Sequence, residues 1–483
     1  MNDPSALTVN DPTALTLREA AAAIAQGALR AEALVDACLD RIERLQPKLN
    51  CFIRVTADAA RERAREADRA VKAGGKLGPL HGVPLAHKDM FYRAGEVCSC
   101  GSKIRAAFVP DHTATVLARF DAAGAVDLGR LNLAEFALGP TGHNDHFGRC
   151  KNPWNPEHIT GGSSSGSGAA VAAGLVFGAL GSDTGGSVRL PAAACGLAGI
   201  KPTLGRVSRY GAMPLSHSCD CIGVLARNVG DCARLLAVIA GPDERDGMSS
   251  RNPVEDYERG LEDAGSAGAL AGVTIGVPSR YYYDGIDAEV AELLAASRSV
   301  LEKRGAKIVD VPIGDHAAVN DLAGTMVMAE GAAVHLPWLR ECPQDYSPQV
   351  RARLLAGAGL PATLYLQALQ ARSQLLDEIL RDTFTKCDVL HIPVLKQPVP
   401  TGAETDVRGS AAMAAVLAQI VAATRPINYL GLPGLSVPMG FTRNGLPQAM
   451  QLVGRPFQEG LLFRIGAAYE AGAGRRSERP PLN

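Results

Sequence analysis

Residues 160–168 read TGGSSSGSG, four serines and four glycines in nine positions, and this stretch decides how the rest of the chain is read. Such a run cannot be the interior of a helix or strand, because glycine costs backbone entropy and serine competes for backbone hydrogen bonds. It is a loop that exposes N–H groups and hydroxyls. A phosphate-cradling loop would end in Gly-Lys-Ser/Thr, whereas this one runs into Ala169-Ala170. Gly162-Ser163-Ser164-Ser165-Gly166 has the G-x-S-x-G form of a nucleophile elbow, but that motif follows a buried strand, and residues 155–159, NPEHI, are loop chemistry. A plain linker is the third reading.

The residues that follow weaken the linker. Ser167 to Val176 is small and apolar, a tightly packed helix, and Phe177 to Ser182 is a short strand. A ten-residue helix advances about 15 Å, and a strand of about five residues covers about 16 Å. If the strand runs back along the helix, the second Ser/Gly loop, Asp183-Thr184-Gly185-Gly186-Ser187, lies against the first, with Ser163 and Ser187 converging. Two serines still need a base. The chain has no S-x-x-K, and none of its ten histidines is marked by context. Lys88 is marked: it follows Gly82-Val83-Pro84-Leu85-Ala86, an apolar run that delivers it to the interior. There desolvation disfavours the ammonium and leaves a competent general base.

These segments resemble the amidase-signature family. His81-Gly82-Val83-Pro84 with Lys88-Asp89, Gly161-Gly162-Ser163-Ser164, and 181–189 (GSDTGGSVR) resemble its lysine, serine/glycine and nucleophile motifs. Lys201-Pro202-Thr203, Gly205-Arg206-Val207-Ser208, Gly431-Leu432-Pro433, Ser436-Val437-Pro438 and Gln451-Leu452-Val453-Gly454 extend the likeness over roughly residues 15–475. The resemblance implies an α/β fold with a large mixed central β-sheet covered by helices on both faces. It implies Ser187 as nucleophile, Ser163 after a cis peptide as proton relay, and Lys88 as base. Thr184, Gly185, Gly186 and Ser187 would supply oxyanion N–H groups, with Ser164, Asp183 and Arg189 in support. The preferred reading of Asp183 and Arg189 is a structural ion pair. Neither a cofactor nor a metal is implied.

The remaining chain fits one amidase-signature domain over 16–475 with short tails at 1–15 and 476–483. Residues 2–8 and 10–16 repeat with a period of eight (NDPSALT, NDPTALT). Thr16 with Glu19 makes a capping box for a first helix. A second carries Leu34, Val35, Leu39 and Ile42 and stops before Pro47. A third, 58–72, has alternating Arg and Glu on a solvated face. Residues 273–277 (strand), 287–304 (helix) and 307–313 (strand) form a βαβ unit and therefore a parallel pair. Residues 396–410 are a surface loop. Forty-nine Lys+Arg balance 50 Asp+Glu, so no broad attraction to nucleic acid or anionic membrane follows. Without a signal sequence or membrane span, the chain is expected in the cytoplasm. The eleven cysteines read as reduced thiols; Cys98/Cys100 and Cys219/Cys221 are CxC pairs rather than zinc knuckles, and His143/His146 read as surface histidines.

Within the resembled family the expectation is a free-standing hydrolase of small amides, anilides or carbamates (an aryl acylamidase or urethanase), with a small-molecule substrate, no nucleic acid and no membrane; a homodimer is left open. Phe136, Leu138 and Met213 are weighed as an apolar acyl pocket against plain core. The alternative is the glutamine-dependent subunit of a tRNA-linked amidotransferase, favoured by residues 205–211 (GRVSRYG). It is disfavoured because 362–371 (ATLYLQALQA) lack that subunit's tyrosine-rich helix. A non-catalytic partner subunit on the same fold is the third possibility.

Overall fold

The structure, a computed structural model, describes residues 11–408, 410–474 and 478–482. Eleven strands among these residues join one sheet: β1 (Phe52–Val55), β2 (Pro84–Lys88), β3 (Val126–Leu131), β4 (Gly178–Asp183), β5 (Ala198–Lys201), β6 (Cys221–Ala226), β7 (Thr274–Pro278), β8 (Lys307–Val311), β9 (Val389–Pro393), β10 (Gly434–Phe441) and β11 (Pro447–Gly454). Their order is β1-β3-β2-β4-β6-β5-β10-β11-β9-β7-β8. The pairs β2–β3 and β2–β4 are parallel, as are β7–β8 and β7–β9, while the strands between run antiparallel. Every residue of β2, β4, β6, β9 and β11 is buried. Successive strand side chains point to opposite faces, so both faces of the central sheet are covered. The sheet is mixed and α/β in class, as its sequence implied.

Local chemistry explains the elements that matter. Thr16 accepts from Glu19 N and the Glu19 side chain accepts from Thr16 N, closing the capping box on the helix Leu17–Ala25. The second helix, Ala31–Leu49, runs through Pro47 instead of stopping before it. The proline sits in the last turn, where its missing N–H deprives only the carbonyl of Glu43, an exposed residue. The helix Ala57–Lys72 buries only Ala60, Ala64 and Ala67 and sets its Arg/Glu ladder in solvent. The helix Ala288–Lys303 connects β7 to β8 in parallel, as the βαβ reading required.

Most of the N-terminal repeat lies outside the described residues. The part that is described is held down: Arg227 donates to the Thr13 carbonyl at 2.7 Å, and Arg479 pairs with Asp11 at 3.2 Å. No helix among the described residues is long and apolar enough to cross a membrane.

Candidate functional site

Three segments meet at the C-terminal ends of the parallel strands β2 and β4. β2 ends on Lys88, whose side chain is fully buried. Its Nζ lies 2.7 Å from Ser163 Oγ and 2.7 Å from Ser182 Oγ. Burial brings its pKa down from 10.5 to about 7, against the opposing pull of the Asp220 and Asp183 carboxylates. A lysine so placed is a base near neutrality rather than a permanent cation.

Ser163 follows a cis Gly162–Ser163 peptide in the loop before the helix Ser165–Ala172. That helix takes in Ser165 to Gly168, which the sequence reading placed in the loop, because it is buried along its whole length and only small side chains pack there. The hydroxyl of Ser167 is satisfied by donating to Leu180 O at 2.9 Å. A Cβ on Gly162 would stand 2.6 Å from the Gly139 carbonyl, so no other residue fits there. The helix returns along β4, and Ser164 N donates to Ser187 O at 3.3 Å. The two serine loops therefore do converge. Ser187 is half-buried, makes no side-chain hydrogen bond to another described residue, and opens onto a cavity of ≈ 270 Å³.

The loop carrying Ser187 is braced from beneath. Asp183 accepts from Gly186 N (2.7 Å) and Val188 N (3.0 Å), and pairs with Arg189 at 2.8 and 3.0 Å, both side chains fully buried. Burial opposes the Asp183 charge, but Arg189 outweighs it and holds the carboxyl well below the usual range. Arg189 reaches on to Thr424 O, Gln451 Oε1 and Asn428 Oδ1, tying the loop to the late segments around β10 and β11. One expectation changes: the Gly186 N–H is committed to Asp183 and does not face the cavity, because the tight turn directs it back to the carboxylate. Thr184, Gly185 and Ser187 line the cavity. Ser164 sits in the relay loop and donates its hydroxyl to Ser182 O at 3.3 Å. Asp89 accepts from the N and Oγ of Ser99, away from the serines.

Of the weighed pocket residues, Leu138 lines the Ser187 cavity, Met213 lines a separate cavity with Ser182 and Asp220, and Phe136 is core, packed on His335, Trp338 and Tyr346. His143 and His146 are half-buried rather than surface groups, meeting Thr405 and Glu135. Cys98 and Cys100, with Sγ atoms 3.9 Å apart, are buried.

Four residues escaped the sequence reading. Ser182, inside the nucleophile motif, is the second contact of Lys88 Nζ. Asp220, between two cysteines that drew attention to themselves, accepts from Thr184 Oγ1 at 2.6 Å and from Leu215 N and Ser216 N at 2.8 and 3.0 Å. Arg353 and Arg425 line the Ser187 cavity from the helix Pro348–Ala358 and the helix Arg425–Tyr429. Arginine on a helix reads as a solvated face, and nothing in its spacing marks it otherwise.

The sequence matches the Amidase family profile over residues 33–463. It is 39% identical to the A subunit of glutamyl-tRNA(Gln) amidotransferase from Chloroflexus aurantiacus, over 96% of this chain and 97% of that protein. Among solved structures it is similar to a chain from a vestigial protein complex bearing on the origins of an s-triazine catabolic enzyme (TM-score 0.88, 32% identity, 97% of this chain and 100% of that one). It is also similar to the A subunit of glutamyl-tRNA(Gln) amidotransferase from Thermotoga maritima (TM-score 0.80, 31% identity, 95% of each chain). These full-length likenesses overturn the expectation of a free-standing hydrolase of small amides, anilides or carbamates, and with it that of a small-molecule partner only and no nucleic acid. The absent tyrosine-rich segment misled because it falls on the helix Ala362–Glu378, which buries only Ala368 and supplies none of the described residues lining the Ser187 cavity. The conjunction of motifs, sheet and whole-chain likeness is decisive at the family level: the chain belongs to the Amidase family.

Proposed function

We propose that this chain is the ammonia-releasing subunit of a glutamine-type amidotransferase. It would cleave the primary carboxamide of a carboxylate-bearing donor at Ser187 and work in the cytoplasm with partner subunits and tRNA. The observation that carries the reading is the Lys88–Ser163 contact in a loop whose next residue, Ser164, donates to the Ser187 carbonyl, with Ser187 opening onto a cavity that holds an unanswered cation. Arg353, at that cavity, has no hydrogen-bond or ion-pair partner among the described residues, and burial followed by the nearby Arg425 charge brings its pKa down to about 10. A guanidinium in that state favours a carboxylate ligand, paired through its planar fork. The full-length likeness to amidotransferase A subunits supports the same donor class and the partners.

The chemistry balances on the residues present. Ser187 Oγ attacks the carboxamide carbon while its proton passes to Ser163, whose own proton passes to Lys88. The oxyanion forms against the N–H groups of Thr184, Gly185 and Ser187, which line the cavity. As the C–N bond breaks, the relay runs backwards and the proton from Lys88 leaves with the nitrogen as ammonia. Water then attacks the Ser187 ester with Lys88 again as base, giving the free acid and restoring the serine. The test is ammonia release from L-glutamine by the full chain and by Ser187→Ala. Release by the wild type alone supports the proposal, and release by neither, or equally by both, sinks it.

A further inference from the structure

The wall of the Ser187 cavity carries charge of one sign. Arg353 and Arg425 are its only charged residues among the described lining, and no aspartate or glutamate joins them. The rest is apolar or small, Leu138, Leu215, Val327, Met328, Leu417 and Val421 among them. Arg425 donates through Nε to Asn320 Oδ1 at 2.9 Å, which fixes its guanidinium while leaving its terminal nitrogens available. Arg353 lacks even that restraint.

A ligand entering this space meets two cations and an aliphatic surface. A carboxylate is attracted, and bidentate pairing with a half-buried guanidinium holds it in a defined orientation. An ammonium on the same ligand has the opposite fate. It gives up part of its water, finds no carboxylate among the described lining residues, and sits in the repulsive field of two half-buried guanidiniums, which solvent weakens without cancelling. A site that selects an α-amino acid needs a group of each sign, and this one has a single sign.

Resting on the amide-cleaving reading of Ser187, we infer that the cavity selects its carboxamide donor by the carboxylate alone and does not read an α-ammonium. Its substrate class is the ω-carboxamides of aliphatic carboxylic acids, of which glutarate monoamide is the simplest analogue of glutamine. L-Glutamine is then accepted through its carboxylate and disfavoured by its amino group.

The experiment compares kcat/KM for ammonia release by the full chain from three five-carbon amides: glutarate monoamide, with the carboxylate only; L-glutamine, with both charges; and pentanamide, with neither. The expected order places glutarate monoamide at least tenfold above each of the others, and Arg353→Gln lowers its advantage over pentanamide by at least tenfold. L-Glutamine equal to or better than glutarate monoamide overturns the inference and leaves the amide-cleaving reading intact. Pentanamide equal to glutarate monoamide overturns it by removing the carboxylate contact. An unchanged advantage in Arg353→Gln overturns the assignment to that arginine. No release from any of the three overturns the amide-cleaving reading and the inference together.

Discussion

Replacing Lys88 by methionine separates what burial does for the base from what it costs the fold. Burial brings the lysine from 10.5 to about 7 even with Asp220 and Asp183 nearby. At about 1.4 kcal/mol per pH unit, the ammonium is disfavoured in the folded protein by about 5 kcal/mol. The folded value is the lower one, so the unfolded chain binds more protons between pH 7 and 10.5. The folded state therefore gains stability as pH rises through that window, and the full penalty is present below it. At pH 7 it is about 4 kcal/mol, and at pH 10 about 1 kcal/mol. Methionine removes the charge at similar length but takes a partner from Ser163 and from Ser182, at about 1 kcal/mol each. Lys88→Met is thus expected to be about 2 kcal/mol more stable than the wild type at pH 7 and about 1 kcal/mol less stable at pH 10, while losing acyl transfer. Reversible urea unfolding followed by circular dichroism at both pH values reads the crossover. Two proteins whose stabilities change in parallel with pH would refute the reasoning, because Lys88 would then have no unusual titration in the fold.

Other outcomes follow from the same geometry. The kcat/KM for ammonia release should rise with pH to a plateau with its midpoint near 7, as Lys88 loses its proton. Asp220→Asn should move that midpoint down, because the Asp220 carboxylate favours the ammonium; a lower rate with an unmoved midpoint would show that Asp220 acts only by holding Thr184. Arg189→Met leaves Asp183 charged and unpaired in a fully buried place, and should cost about 3–5 kcal/mol in stability, read as a lowered urea midpoint. Gly162→Ala should abolish labelling of Ser187 by a fluorophosphonate while the far-ultraviolet circular dichroism stays that of the wild type, since its Cβ would meet the Gly139 carbonyl at 2.6 Å; normal labelling would show that the loop yields.

What the sequence made legible was governed by local chemistry. The Gly/Ser run was legible as a loop only up to Ser164: residues 165–168 form the first turn of the helix Ser165–Ala172, where small side chains let the helix lie fully buried, while the short helix and strand that bring the two serine loops together were as read. The helix passing through Pro47 was hidden because a proline's cost depends on which carbonyl it deprives. The commitment of the Gly186 N–H to Asp183 was hidden because a turn's donor directions are set by φ and ψ. The charged wall was illegible for a different reason. Arg353 and Arg425 come from helices remote from the serine motifs, and only the three-dimensional fold brings them to Ser187. The same distance misdirected the functional expectation, which gave weight to one helix, Ala362–Glu378, whose side chains are largely outside the core.

The defining event of this mechanism is acylation of Ser187. It is tested most directly by mixing the full chain with L-glutamine or glutarate monoamide, quenching in acid within the first turnovers, and measuring the mass of the peptide that contains Ser187. One acyl group is expected on that serine, none in Ser187→Ala, and a sharply reduced amount in Lys88→Met. Ammonia release with an unmodified Ser187 peptide at every quench time, or an acyl group on another residue, would contradict it.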